Sequence, residues 1–85
     1  MALVRIDEMR RRDKERNSAH QTVQATYTVF SENGTRYFQL DTYGASDRAY
    51  PEKVSQSFQI DEAGARSLVE LLRKESFLGA GDELR

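Results

Sequence analysis

Apolar and polar residues alternate with a period of two along much of the chain, a pattern typical of half-buried β-strands. The first such segment reads Val23, Gln24, Ala25, Thr26, Tyr27, Thr28, Val29, Phe30. A second strand is predicted from Thr35 to Tyr43 and a third from Lys53 to Ile60. Residues 44–52, which hold the only proline, are predicted to form a loop.

Asn33-Gly34 predicts a tight hairpin between the first two strands, because both residues tolerate the positive φ that a two-residue turn requires. If these two residues form the loop, Val29 pairs with Phe38 and Tyr27 with Leu40. The turn chemistry and the apolar pattern therefore select the same register independently.

A helix is predicted directly after the third strand. Asp61 is placed as its N-cap, and Ala65, Leu68 and Leu72 follow as an apolar stripe. The helix is expected to end near Glu75. Gly64 should cost it about 1 kcal/mol relative to alanine.

These elements predict an α+β fold, with a small curved antiparallel sheet of three or more strands and one C-terminal helix packed on its apolar face. Residues 19–78 form the single β-β-β-α domain. Residues 1–18 form a basic N-terminal arm, either helical or disordered, and residues 79–85 form a loose tail. A further strand is expected from the arm or the long loop.

A chain of 85 residues buries only about 60–65% of its unfolded surface, and this one has no cysteine to add a disulfide. Such domains often gain stability by oligomerising, so a homodimer is expected. Leu71, Phe77 and Leu78 exceed what one core needs, which predicts that the helix takes part in the interface. The sequence shows no signal-peptide pattern and no membrane-spanning apolar run, which favours a cytoplasmic location.

Catalytic chemistry has little support in the sequence. His20 is the single histidine, it lies between the arm and the first strand, and no nucleophile can be paired with it. No cluster of residues has metal-ligand spacing. We therefore expect no enzymatic activity, no cofactor and no metal.

The second face of the predicted sheet is nearly uncharged, which is unusual for a solvated surface. Its residues are Gln24, Thr26, Thr28, Phe30, Tyr37, Gln39, Asp41, Tyr43, Ser55, Ser57 and Gln59. This face is an ordinary solvated surface, a wet protein interface, or a surface that stacks and hydrogen-bonds bases. Asp41 is expected to pair with Thr26 or with a nearby arginine.

Three cations are predicted to form a rim beside this face, namely Arg36, Arg48 and Lys53. The candidate nucleic-acid-binding residues are Arg36, Tyr37, Gln39, Tyr43, Arg48, Lys53, Ser55 and Ser57. The only basic concentration comprises Arg10, Arg11, Arg12, Lys14 and Arg16. The formal net charge is −1, so the electrostatic signal for nucleic acid is weak.

Residues 22–74 resemble the positive-cofactor-four family of transcriptional coactivators, on the segments "FQLDTYG", "KVSQSFQID" and "EAGARSLVELL". The resemblance implies single-stranded DNA binding and dimerisation through the helix. Where the family has Arg-Glu after the apolar pair of its second strand, this chain has Thr42-Tyr43. Its segment 46–53 holds only Arg48 and Lys53 as cations.

The leading expectation is a non-enzymatic nucleic-acid-binding module that prefers single strands. It would use the Thr/Gln/Tyr face and its Arg/Lys rim. The alternative is a small protein-interaction factor, such as a phage- or host-encoded modulator that docks on a larger enzyme. The near-balanced charge favours the alternative, and the family resemblance favours nucleic acid.

Overall fold

A computed structural model describes residues 1–44 and 53–79 of the chain. Its elements are β1 (Ala2–Leu3), a 3₁₀ helix (Ile6–Glu8), β2 (Ala25–Glu32), β3 (Thr35–Tyr43), β4 (Val54–Asp61) and α1 (Glu62–Lys74). The sheet order is β1-β4-β3-β2. The predicted α+β class, with one C-terminal helix after the sheet, is confirmed.

The sheet is mixed rather than purely antiparallel, because β1 pairs parallel with β4. Ala2 lies beside Phe58, and the Val4 N–H extends the pairing by donating to the Gln59 carbonyl at 2.8 Å. The N-terminal arm thus supplies the expected extra strand. It contains only a short 3₁₀ helix, not an α-helix, and β2 begins at Ala25, later than the pattern suggested. The loop 45–52 and most of the predicted tail lie outside the described residues.

The predicted hairpin is confirmed residue by residue. Val29 lies opposite Phe38, Tyr27 opposite Leu40, and Glu32 closes the turn with Thr35. Asn33 and Gly34 have φ values of 52° and 81°, as a type I′ turn requires. The β3–β4 pairing then brings Phe38 beside Ile60 and Leu40 beside Phe58.

The helix begins and ends where the sequence predicts. The Asp61 carboxylate accepts a hydrogen bond from the Gly64 N–H at 2.7 Å, which satisfies one of the unpaired N–H groups of the first turn. Glu75 is the C-cap residue. Arg73 and Lys74 occupy the last turn, where cations complement the helix dipole.

The core is a small corner where the 3₁₀ helix, β4 and α1 meet. Among residues 1–44 and 53–79, the only buried hydrophobic side chains are Ile6, 8% exposed, and Ile60, 7% exposed. Gly64 is buried between them: a Cβ placed there would lie 3.4 Å from Ile60 Cβ and 3.5 Å from Ile6 Cγ1. Glycine therefore lets the helix approach the strand at this point, a role that helix propensity alone does not reveal.

Most of the apolar side of the sheet lies outside this corner. Tyr27, Val29, Phe38 and Phe58 keep 68%, 47%, 38% and 39% of their surface exposed. The helix was expected to pack on the apolar face, and these exposures show that it covers that face incompletely. One helix of 13 residues, which packs against Ile60, covers the rest of this face only in part.

Candidate functional site: the two faces of the sheet

The face that carries the predicted site, here called the polar face, is closed by hydrogen bonds between its own side chains. Gln59 Nε2 donates to Gln39 Oε1 at 2.8 Å, and Gln39 Nε2 donates to Asp41 Oδ1 at 3.0 Å. The Ser57 hydroxyl donates to the same carboxylate oxygen of Asp41. All four residues are half-buried. The face thus satisfies much of its hydrogen-bonding capacity without a ligand.

The β2–β3 register places Thr26 opposite Asp41, as expected, but the Asp41 side chain does not bond to Thr26 or to an arginine. The Asp41 carboxylate accepts from Ser57, which lies opposite it on β4, and from Gln39. The Thr26 hydroxyl instead lies 3.0 Å from the Tyr43 hydroxyl.

An aromatic pair lies at the hairpin end of the polar face. The rings of Phe30 and Tyr37 stack with centroids 5.3 Å apart and an interplanar angle of 23°. Both residues are half-buried. This pair is the part of the face with the chemistry to stack against an unpaired base.

The structure brings together only some of the predicted nucleic-acid-binding residues. Tyr37, Gln39, Tyr43 and Ser57 lie on β3 and β4, all half-buried. Lys53 and Ser55 are exposed at the start of β4. The pairing there is irregular, since Thr42 is opposite Gln56 and Tyr43 opposite Val54, so the register skips Ser55. Arg48 lies outside the described residues.

Arg36 does not flank the polar face, which corrects the predicted rim. Side chains alternate along β3, so Arg36 shares the side of Phe38 and Leu40. It lines an open depression of about 180 Å³ on that side, together with Val29, Phe38 and Glu62. Of the other two predicted rim cations, Lys53 is the one within the described residues, and it is exposed directly before β4.

One cation of the basic cluster in the arm forms ion pairs with carboxylates of the same chain. Arg11 contacts Asp13 at 3.0 Å and Glu75 at 2.9 Å, and the second contact links the arm to the end of α1. The same region forms a cavity lined by Met9, Arg10, Arg11, Leu71, Glu75 and Phe77. Arg11 is thus ion-paired within the chain, which leaves fewer cations of the cluster available to contact phosphates.

The opposite face is a candidate surface that sequence reasoning did not identify. We call it the apolar face, formed by Tyr27, Val29, Phe38, Leu40 and Phe58 on the three long strands. The rings of Tyr27 and Phe38 stack with centroids 5.3 Å apart and 10° between their planes. A signal for it was present in the sequence: the strands supply more large apolar side chains than one short helix can cover.

Two further observations bear on chemistry. In residues 1–44 and 53–79, no group of three His, Cys, Asp or Glu residues is placed to hold a metal ion. Over the same residues, no helix has both the length and the apolar character needed to cross a membrane.

Comparison with protein-family models, with curated proteins and with solved structures finds no match to this chain. The resemblance to the positive-cofactor-four family therefore rests on its sequence motifs alone.

Proposed function

We propose that this chain is a non-enzymatic protein-interaction factor that docks its apolar face on an apolar surface of a larger protein. The observation that carries this proposal is the exposure of Tyr27, Val29, Phe38 and Phe58 together on one side of the sheet. Contiguous exposed apolar patches of this kind mark interaction sites on small domains.

Burial of the apolar face would stabilise a complex with a partner protein. Burying apolar surface contributes about 25 cal/mol per Å², so covering several half-exposed aromatic side chains stabilises a complex by several kcal/mol before association costs. Among the hydrophobic side chains of the described residues only Ile6 and Ile60 are buried, so apolar surface is still available for a partner.

The layout of the apolar face also matches interface anatomy. Its aromatic centre carries no charge, and Arg36 and Glu62 line the depression at its rim. Interfaces commonly have an apolar, aromatic-rich core with a polar rim. The polar face offers less, because Gln39, Asp41 and Ser57 already bond to one another.

The test is capture of partners from a nuclease-treated native lysate with the immobilised full chain. Phe58→Glu places a charge in the centre of the apolar face and should abolish capture. Ser55→Glu is the matched control, an exposed residue on the same strand, and should leave capture unchanged. Equal loss with both variants, or capture that disappears on nuclease treatment, would overturn the proposal.

A second candidate is binding of single-stranded nucleic acid at the polar face, favoured by the stacked Phe30–Tyr37 pair beside Gln39. Bases are available for such stacking when unpaired, so single strands should be preferred over duplex. Tyr37→Ala should lower affinity without changing its salt dependence. Lys53→Ala should reduce the log–log salt slope by about 0.7, the value of one single-strand phosphate contact.

Fluorescence anisotropy with a labelled oligonucleotide at low salt measures both effects. No anisotropy change with any single-stranded DNA or RNA at micromolar protein would eliminate the second candidate. Binding that Phe58→Glu leaves intact and Tyr37→Ala weakens would support it over protein docking.

A further inference from the structure

Strand β2 is an outer strand of the sheet, and nothing in the described part of the chain covers it. The sheet order places β3 on one side of β2 and no described strand on the other. Seven of its eight residues are exposed, Phe30 being half-buried. Its outer edge therefore presents unpaired backbone groups to solvent.

The hairpin register identifies those groups. In a two-residue hairpin the closing pair, here Glu32 and Thr35, exchanges backbone hydrogen bonds, and every second residue along the strand does the same. Even-numbered residues of β2 thus bond to β3. The N–H and C=O groups that point outward belong to Ala25, Tyr27, Val29 and Ser31.

This edge lacks the usual protection against strand pairing. Natural edge strands are commonly blocked by lysine, proline, a bulge or short length. Residues 25–31 contain no charged residue and no proline, the β2–β3 register is continuous, and the strand is eight residues long.

We propose that the outer edge of β2 pairs antiparallel with β2 of a second copy of the chain, about a two-fold axis at Thr28. In this register Tyr27 lies opposite Val29 of the other copy, and Thr28 lies opposite its own counterpart. Aromatic–β-branched and Thr–Thr cross-strand pairs are both favourable. The two sheets join into one of eight strands.

A second copy fits this edge because a two-fold interface must be complementary to itself. Every residue from Ala25 to Ser31 is uncharged, so self-pairing opposes no like charges, and Glu32 falls beyond the overlap. In this register odd-numbered residues lie opposite odd-numbered ones and even-numbered opposite even-numbered ones. The apolar faces of the two sheets therefore join on one side and the polar faces on the other. The pairing uses the edge of the sheet, so it does not depend on what docks on the apolar face.

The register can be tested by disulfide trapping, because the chain has no cysteine of its own. Thr28→Cys places two thiols in a non-hydrogen-bonded pair with Cα atoms about 4.5–5.5 Å apart, which suits a disulfide. Ser31→Cys is the matched control on the same strand, since its counterpart would lie about 20 Å away. We expect a covalent dimer from Thr28→Cys under mild oxidation and none from Ser31→Cys. Equal or absent cross-linking in both would overturn the proposal.

Light scattering over a concentration series tests the backbone pairing independently. The wild-type chain should exceed its monomer mass of 9.8 kDa as concentration rises. Tyr27→Pro removes an outward N–H without breaking a bond to β3, and should weaken association about tenfold or more relative to Tyr27→Ala. Circular dichroism confirms that both variants fold. A monomer at every concentration, or dissociation by Phe77→Asp on the helix side but not by Tyr27→Pro, would overturn the proposal.

Discussion

The two faces of the sheet differ in solvent exposure, and the difference runs opposite to what their polarity would suggest. On the polar face, Gln39, Asp41, Ser57 and Gln59 hydrogen-bond to one another and are half-buried. On the apolar side of the same two strands, Phe38 and Phe58 keep 38% and 39% of their surface exposed, and Tyr27 on the edge strand keeps 68%. The comparison teaches that the alternation of a strand tells which residues share a face, but not which face is covered.

Geometry explains the difference. The β3–β4 register puts Gln39 opposite Gln59 and Asp41 opposite Ser57, so donors meet acceptors across the strands. Apolar side chains bury only part of their surface against neighbours in the same sheet and need a second layer above them. Here that layer is one helix, which packs tightly on the sheet at Gly64, where a Cβ would lie 3.4 Å from Ile60 Cβ.

The largest expected effect is a difference in stability between two substitutions on β4, one in the buried corner and one on the more exposed part of the apolar face. Ile60→Ala should lower the free energy of unfolding by about 2–4 kcal/mol because Ile60 is buried. Phe58→Ala, two residues earlier and 39% exposed, should cost less, about 1–2 kcal/mol. Urea denaturation of both variants at one protein concentration measures the difference. Equal losses would mean that the apolar face is covered after all.

The hairpin turn sets the register and so decides which residues lie on each face. A substitution that disfavours the turn should therefore cause the second-largest loss of stability. Gly34→Val forces a β-branched residue to a φ of 81° and should cost about 1–3 kcal/mol. Asn33→Gly, which accepts positive φ, serves as the control and should stay within about 0.5 kcal/mol. Thermal unfolding followed by circular dichroism checks both. A tolerated valine would show that the turn does not determine the register.

A smaller loss of stability is expected when the hydrogen bonds of the polar face are broken. Asp41→Ala removes the acceptor used by Ser57 and Gln39 and should cost about 1–2 kcal/mol. Asp41→Asn keeps a carbonyl acceptor in place and should cost less. Chemical denaturation of the pair tests whether the network stabilises the fold. If Asp41→Ala is neutral, the polar face is an ordinary solvated surface.

The smallest effect is expected at the contact between helix and strand. Gly64→Ala gains about 1 kcal/mol of helix propensity, but its Cβ would lie 3.2 Å from Asp61 Oδ1 and disturb the cap. We expect these contributions to cancel to within about 0.5 kcal/mol. Ala63→Gly, at an exposed position in the same turn, should show the full loss of about 1 kcal/mol. A clear gain in stability from Gly64→Ala would mean that the approach is not tight.

Much of the fold could be predicted because it depends on local chemistry. Asn33-Gly34 and the period of two determined the hairpin register, and Asp61 marked the helix start. The candidate site was less predictable. Arg36 lies on the side of Phe38 rather than at the predicted rim, because side chains alternate along β3. The hydrogen bond from Ser57 to Asp41 depends on the β3–β4 register.

By itself the sequence determined the three long strands, the turn, the helix and most of the residues on each side of the sheet, because these follow from interactions over a few neighbouring positions. Only the tertiary structure decided that Ala2 pairs with Phe58, that Arg11 reaches Glu75 and that the helix approaches the sheet at Gly64. Such contacts join residues far apart in the chain. They depend on the shape and area of whole elements, and those quantities decided which face stays open.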